Sequence, residues 1–339
     1  MERKNVVIIL GAGFSKAVCS DMPLVKELSD LVCKEFEKRN WTLPDAYGKF
    51  ENFENYLTYL AESAPWLNDY ENYENKATFQ RITLAIANII KTKQRSAIGK
   101  PLPLALQRLA NLNLSQELFP TIISLNYDNL LEGAFLANGT VVSQSLRFIY
   151  KIPLTPVDPG RYLRCENPGV RAFDLLKLHG SINWYWSGFE STANDPIFDA
   201  GLAKSQWGNQ SFNSDTKWNI EYTIGGKVPC IIPPISVKEH YFLNTALRYQ
   251  WRLARDAISQ AHQVHIVGYS IPLTDLPVIA LLRLNMDSNR VRVIPVNRDS
   301  DYGNHMKLIF GVDNYDKRYI GRDNVVEEWA DKLNQLIKD

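Results

Sequence analysis

The sequence is short of several things that would each mark a function class. It holds only four cysteines, Cys19, Cys33, Cys165 and Cys230, and no two lie within four residues of each other. A structural zinc site normally draws on such close pairs, so this spacing speaks against zinc or any other metal and fits reduced thiols. There is no charge surplus either: 38 Lys and Arg stand against 37 Asp and Glu, a net charge of +1. Proteins that track phosphate backbones usually carry a visible basic excess, so contact with nucleic acid is expected only indirectly, through a partner. Long apolar runs are missing too. No stretch reaches the roughly 18 residues of a membrane span, and the run at residues 6–10 is too short for a secretory signal. The expectation is a cytoplasmic chain with no membrane contact.

What is present suits a folded core: 45% hydrophobic and 11% aromatic residues in 339, enough for one large or two modest domains. Residues 5–10 form a short β-branched run that stops at Gly11, as a buried parallel strand does. Similar runs lie at 120–125, 174–178, 263–267 and 290–296, the last two flanking a helix expected over 275–286. Strand, turn, helix and strand at these lengths make a βαβ unit. The expected fold is therefore α/β, a Rossmann-like, mostly parallel sheet. Between the first two strands, Leu24, Leu28, Leu31, Val32 and Phe36 recur at helical spacing, as do Phe79, Ile82, Ile86, Ile89 and Ile90. Residues of about 24–115 are read as an inserted helical module. Residues of about 187–226, rich in Gly, Ser, Asn, Asp and Trp, are read as an irregular flap.

Five strand ends carry residues with chemistry. Gly11-Ala12-Gly13-Phe14-Ser15 follows the first strand, and such a turn can bring free backbone N–H groups close to a pyrophosphate. It lacks the dehydrogenase fingerprint: Lys16 stands where a third glycine would fall, and no acidic residue follows a second strand about 20 positions on. Asn126 and Asp128 follow the second strand, where they can hold a ribose hydroxyl or a water, or simply cap a helix. His179 precedes Gly180, a titratable base beside a residue that permits close approach; a lone histidine is equally at home as a structural residue. Gly268 and Ser270 follow the fourth strand, with Thr274 or Asp275 placed to cap the next helix, and Asn297 follows the fifth. Each alone reads as an ordinary loop; their convergence at one edge of a parallel sheet points to a ligand site.

Together these motifs, in this order, resemble the sirtuin superfamily, in particular the bacterial sirtuin-like NAD⁺ hydrolases of antiphage defence. The resemblance implies that residues 11–15, with Gly268 and Ser270, bind the phosphates and ribose of NAD⁺, and that Asn297 lies near its adenosine half. It implies that Asn126 and Asp128 sit around the nicotinamide ribose and that His179 is the catalytic base. The deacylases of the superfamily carry a zinc module with paired cysteines and a Gly-Ile-Pro-Asp-Phe-Arg-like stretch. Here no cysteine pair exists, and the stretch reads Asp21-Met22-Pro23-Leu24. The implied activity is hydrolysis of NAD⁺, its substrate, to nicotinamide and ADP-ribose. The alternatives are an NAD-dependent protein deacylase and a non-catalytic NAD or ADP-ribose-binding subunit. The resemblance further implies a homo-oligomer and activation by assembly or by a partner, for which a HerA-type ATPase or a short Argonaute is a family precedent. Trp41, Tyr56, Tyr59, Trp66, Tyr70 and Tyr73 are candidates for that contact, or are core residues of the helical module.

Overall fold

A computed structural model of the chain describes residues 5–43, 45–50, 52–112, 120–140, 149–157, 174–188, 191–202, 207, 225–287, 290–311 and 315–338. Cys165 and much of the segment read as a flap lie outside these residues.

Five strands form one wholly parallel sheet: β1 (Val6–Leu10), β2 (Thr121–Ser124), β4 (Asp174–Lys177), β8 (Gln263–Val267) and β9 (Arg292–Val296), in the order β4-β2-β1-β8-β9. Every residue of β1 is buried, as expected of a strand covered on both faces. Val6, Ile8 and Leu10 point into one core and Val7 and Ile9 into another, because side chains alternate along a strand. Pro295 cannot donate to a ladder, and it sits in β9, at the end of the strand order. The fold is thus a mixed α/β, Rossmann-like architecture.

Between β1 and β2 run α1 (Ala12–Val18), α2 (Val25–Lys38), α3 (Phe53–Ala61), α4 (Asp69–Lys93) and α5 (Leu104–Asn111). The longest, α4, begins with a reciprocal cap: Asn68 accepts from the Glu71 N–H while the Glu71 carboxylate accepts from the Asn68 N–H. Its Phe79, Ile82, Ile86, Ile89 and Ile90 are buried, and lysines 91 and 93 fall in its last turn, where the helix dipole favours cations. The aromatic residues of this region divide. Tyr56 is fully buried, and Trp41 and Tyr59 pack against the core, whereas Trp66, Tyr70 and Tyr73 are largely exposed.

The sequence reading contains no second sheet, yet one is present. β3 (Leu154–Pro156), β5 (Gly180–Trp186), β6 (Ile197–Asp199) and β7 (Val228–Ile231) form it in the order β3-β6-β5-β7, and β6 falls inside the segment read as irregular. After α6 (Leu130–Ala137) and this sheet come α7 (Glu239–Phe242), α8 (Thr245–Ser259), α9 (Leu276–Asn285), α10 (Tyr302–Phe310) and α11 (Val325–Leu336). No helix among the described residues is long and apolar enough to cross a membrane.

The topology places the site. From β1 the chain steps outward to β2 and β4, then returns to lay β8 and β9 on the other side of β1. The carboxyl ends of β2, β1 and β8 therefore flank a point where strand order reverses, the usual position of a ligand crevice in an open α/β sheet.

Candidate active site

A cavity of about 630 Å³ opens at that edge, within the size range of small-molecule sites. Its walls include Gly11, Ala12, Gly13 and Ser15 after β1, Asn126 and Asp128 after β2, and His179 after β4. Gly268 and Ser270 after β8, and Asn297 after β9, complete that set. Of the eleven residues expected from sequence, only Phe14 is absent from the lining. Its ring is buried in the core, and only its backbone N–H acts in the turn, donating to the Gly11 carbonyl at 2.9 Å. Met22, Pro23, Leu24 and Val25 add an apolar rim.

The glycine turn works differently from the sequence expectation. The Gly11 N–H donates to the Val267 carbonyl at 3.0 Å and the Gly13 N–H to the Gly268 carbonyl at 2.7 Å, so with Phe14 three N–H groups expected to face a pyrophosphate are already committed. The glycines serve a backbone crossing. A Cβ on Gly13 would lie 2.8 Å from the Gly268 carbonyl oxygen. One on Gly268, whose φ is +63°, would lie 2.1 Å from the Phe14 nitrogen. Close approach is what these residues permit, but the partner that approaches is the chain itself.

Beside this crossing, Asn126, Ser15 and Asp128 form a chain of buried hydrogen bonds. Asn126 Nδ2 donates to the Gly11 carbonyl and to Ser15 Oγ, each at 2.8 Å, and Ser15 Oγ donates to Asp128 Oδ2 at 2.7 Å. Ser15 therefore spends its hydroxyl inside the protein. Asp128 Oδ1 accepts the Leu130 N–H at 3.1 Å, so this carboxylate does act at a helix start, as one reading of the sequence had it. Burial raises the Asp128 pKa, opposed by the nearby Lys177 cation and the bond from Ser15. Asn126 does not cap. With its N–H groups occupied, its side chain can meet a water or hydroxyl only through Oδ1, as an acceptor.

His179 stands at the junction of the two sheets. Gly180, at φ +76°, turns the chain out of the parallel sheet into β5, and a Cβ there would lie 2.0 Å from the Cys230 carbonyl oxygen. The close approach that Gly180 allows is thus to β7, where the sequence had suggested a ligand. The imidazole lies 6.5 Å from the Trp251 ring, centroid to centroid, and Nε2 has no hydrogen-bond partner among the described residues. Burial, reinforced by the Lys238 cation, holds its pKa below the usual histidine value, against the opposing pull of Asp275.

The sequence reading missed the group facing it. Asp275 does not cap α9 with its side chain. Its Oδ1 accepts from Lys238 Nζ, its Oδ2 accepts from the Tyr269 hydroxyl at 2.7 Å, and the same Oδ2 lies 3.5 Å from His179 Nε2. Burial alone would raise the Asp275 pKa, but His179 and Lys238 outweigh it and hold the group well below the usual carboxylate range. Glu54 and Thr274 are hydrogen-bonded to each other on the same wall. Burial raises the Glu54 pKa, with the Thr274 bond opposing it and the Asp275 charge adding to it. Lys238 gave no signal in sequence, because nothing in Ser-Val-Lys-Glu-His at 236–240 marks a cavity wall. Among the described residues no group of three or more His, Cys, Asp or Glu is arranged to hold a metal ion.

No protein-family model matches the chain, and no curated protein matches it. Among solved structures it is similar to a Sir2 homologue in complex with NAD, at 14% identity and a TM-score of 0.48 over 99% of this chain and 90% of that one. It is also similar to a mutant Sir2 homologue in complex with 2'-O-acetyl-ADP-ribose, at 15% identity and a TM-score of 0.49 over 99% and 93%. A Sir2 homologue mutant in complex with ADP-ribose gives 14% and 0.46 over 99% and 93%.

Proposed function

We propose that the protein binds NAD⁺ in this cavity and hydrolyses its nicotinamide–ribose bond. The observation that carries the reading is the placing of His179 and Asn126 together in one cavity at the strand-order reversal. The scissile bond joins ribose C1' to a cationic ring nitrogen, a good leaving group, and it breaks through an oxocarbenium-like state. Asn126 Oδ1 accepts a hydrogen bond from the attacking water or ribose hydroxyl and orients it. His179 takes the proton as the new C–O bond forms. The electron pair of the broken C–N bond returns to the nicotinamide ring, which leaves neutral. In hydrolysis the water's other hydrogen stays on the ADP-ribose product, so one NAD⁺ and one water give nicotinamide, ADP-ribose and a proton. Asp128 holds Ser15 and, through it, the Asn126 amide.

The motif resemblance extends the proposal to an effector of antiphage defence that depletes cytoplasmic NAD⁺ when a partner protein or self-assembly activates it. The exposed Trp66, Tyr70 and Tyr73 are the surface offered for that contact. The test is nicotinamide release from NAD⁺ by the chain, alone and with the proteins encoded beside it. Asn126→Ala and His179→Ala should each lower the rate by about 100-fold or more. Unchanged release from both variants refutes the assignment, and tight nucleotide binding with no release under any condition favours a non-catalytic subunit.

A further inference from the structure

Lys238 is a cation buried in the wall of the site: its side chain is 1% exposed and it lines the cavity. Nothing in the proposed hydrolysis uses it. Its Nζ is bonded to Asp275 Oδ1, and the other carboxylate oxygen faces the histidine. We propose that the buried Asp275–Lys238 pair positions and tunes His179, Asp275 holding the imidazolium formed when the ring accepts a proton and Lys238 keeping that pull weak enough for the resting ring to stay neutral. The inference rests on the hydrolase reading only for the identity of the proton donor.

The geometry gives the order of events. His179 Nε2 is closed off inside the protein with Asp275 Oδ2 3.5 Å away, so Asp275 acts on the ring as a fixed neighbouring charge. A carboxylate 3.5 Å from an uncharged imidazole gains little charge attraction from it. Once the ring has taken a proton from the water or hydroxyl, imidazolium and carboxylate attract, so Asp275 favours the protonated base more than the resting one. A lone carboxylate at this distance would favour a protonated ring before substrate arrives. Lys238 opposes that by compensating the charge. The other charged or titratable groups around this pair are Glu54 from α3, Tyr127 after β2 and Tyr269 after β8. Glu54 is hydrogen-bonded to Thr274, Tyr127 donates to the Ile232 carbonyl and Tyr269 donates to Asp275. Asp275 and Lys238 are thus positioning residues, acting through His179.

The sign of each change is fixed. Removing Lys238 removes an influence that lowers the His179 pKa, and removing Asp275 removes one that raises it. The experiment follows the imidazole of His179 by NMR in histidine-labelled chain without nucleotide, its signal assigned by loss in His179→Gln, with the pH dependence of nicotinamide release measured alongside. Lys238→Met should move the His179 midpoint up by about one pH unit or more, and Asp275→Asn should move it down. The double variant should return it toward the wild-type value. Lys238→Met leaves a buried carboxylate alone and can fail to fold; the double variant, which buries no unpaired charge, and Tyr269→Phe, which strips one bond from Asp275 Oδ2 and should raise the midpoint slightly, then carry the test. In rate measurements Asp275→Asn should lower the plateau about tenfold or more, and the acid limb should follow the midpoints. Midpoints that stay within a few tenths of a pH unit across the folded variants overturn the proposal. Midpoints that move as stated, in a chain that never releases nicotinamide, support the coupling and overturn the hydrolase reading alone.

Discussion

Two lysines of this protein are buried to the same degree, and they do different things. Lys177, the last residue of β4, is 1% exposed and donates to Glu132 Oε1 at 2.8 Å and to the Asp128 carbonyl at 2.5 Å. Glu132 Oε1 also accepts from Asn129 and from the Tyr150 hydroxyl, so the pair sits in a network that meets its hydrogen-bonding needs. Lys238 is as deeply buried, yet it faces the cavity, and its carboxylate partner lies beside an imidazole nitrogen with no partner. A satisfied network holds a shape; an ion pair beside a base in a cavity can bias where a proton rests. Burial alone does not separate the two cases, whereas counting the hydrogen bonds around each does.

The contrast can be broken in order of expected effect. Lys177→Met leaves Glu132 buried and unpaired, so urea unfolding should show a loss of about 3–5 kcal/mol, while the His179 midpoint of the folded fraction should not move. A shifted midpoint would mean that the two networks are one. Gly180→Ala attacks the hinge that carries His179 between the sheets. Its Cβ would meet the Cys230 carbonyl in a left-handed backbone conformation, and a loss of at least about 2 kcal/mol is expected. A smaller loss would show that the junction gives way, and that the distance to Asp275 is not held by it. The smallest effect belongs to the surface pair of Lys16 and Glu27, 2.9 Å apart with both side chains partly exposed. Lys16→Met should change stability by less than about 1 kcal/mol, less still in high salt.

The five parallel strands were legible because each is a short run of buried apolar residues, a pattern that survives without tertiary information. The residues at their carboxyl ends were legible for the same reason, since a parallel sheet brings all such ends to one edge. The second sheet was not. In β5, Ser181 and Asn183 alternate with Ile182 and Trp184, and two polar residues read as a solvent face. Both are buried, because Asn129 Nδ2 donates to Ser181 Oγ at 3.0 Å and to Asn183 Oδ1 at 2.9 Å. The glycines misled in another way. Their spacing announces that something comes close, but only the fold reveals that the Gly11–Gly13 turn receives the Gly268 backbone and Gly180 receives β7. Lys238 and Asp275 were hidden because a charge in a loop looks solvated until its partner, 37 residues away, is placed against it.

The position of β1 at the centre of its sheet has a consequence for how the molecule is made. Val6 pairs with Gln263 on one side and Val7 with Thr121 on the other, so the central strand waits through most of synthesis for its second neighbour. At about 5–20 residues per second the wait is roughly 13–50 seconds. Until β8 and β9 emerge from the ribosome, the turn at Gly11 has nothing to cross, His179 has no Asp275 beside it, and the cavity has one wall. A partly translated chain therefore lacks a complete cavity, because residues as far apart as Gly11 and Asn297 line it.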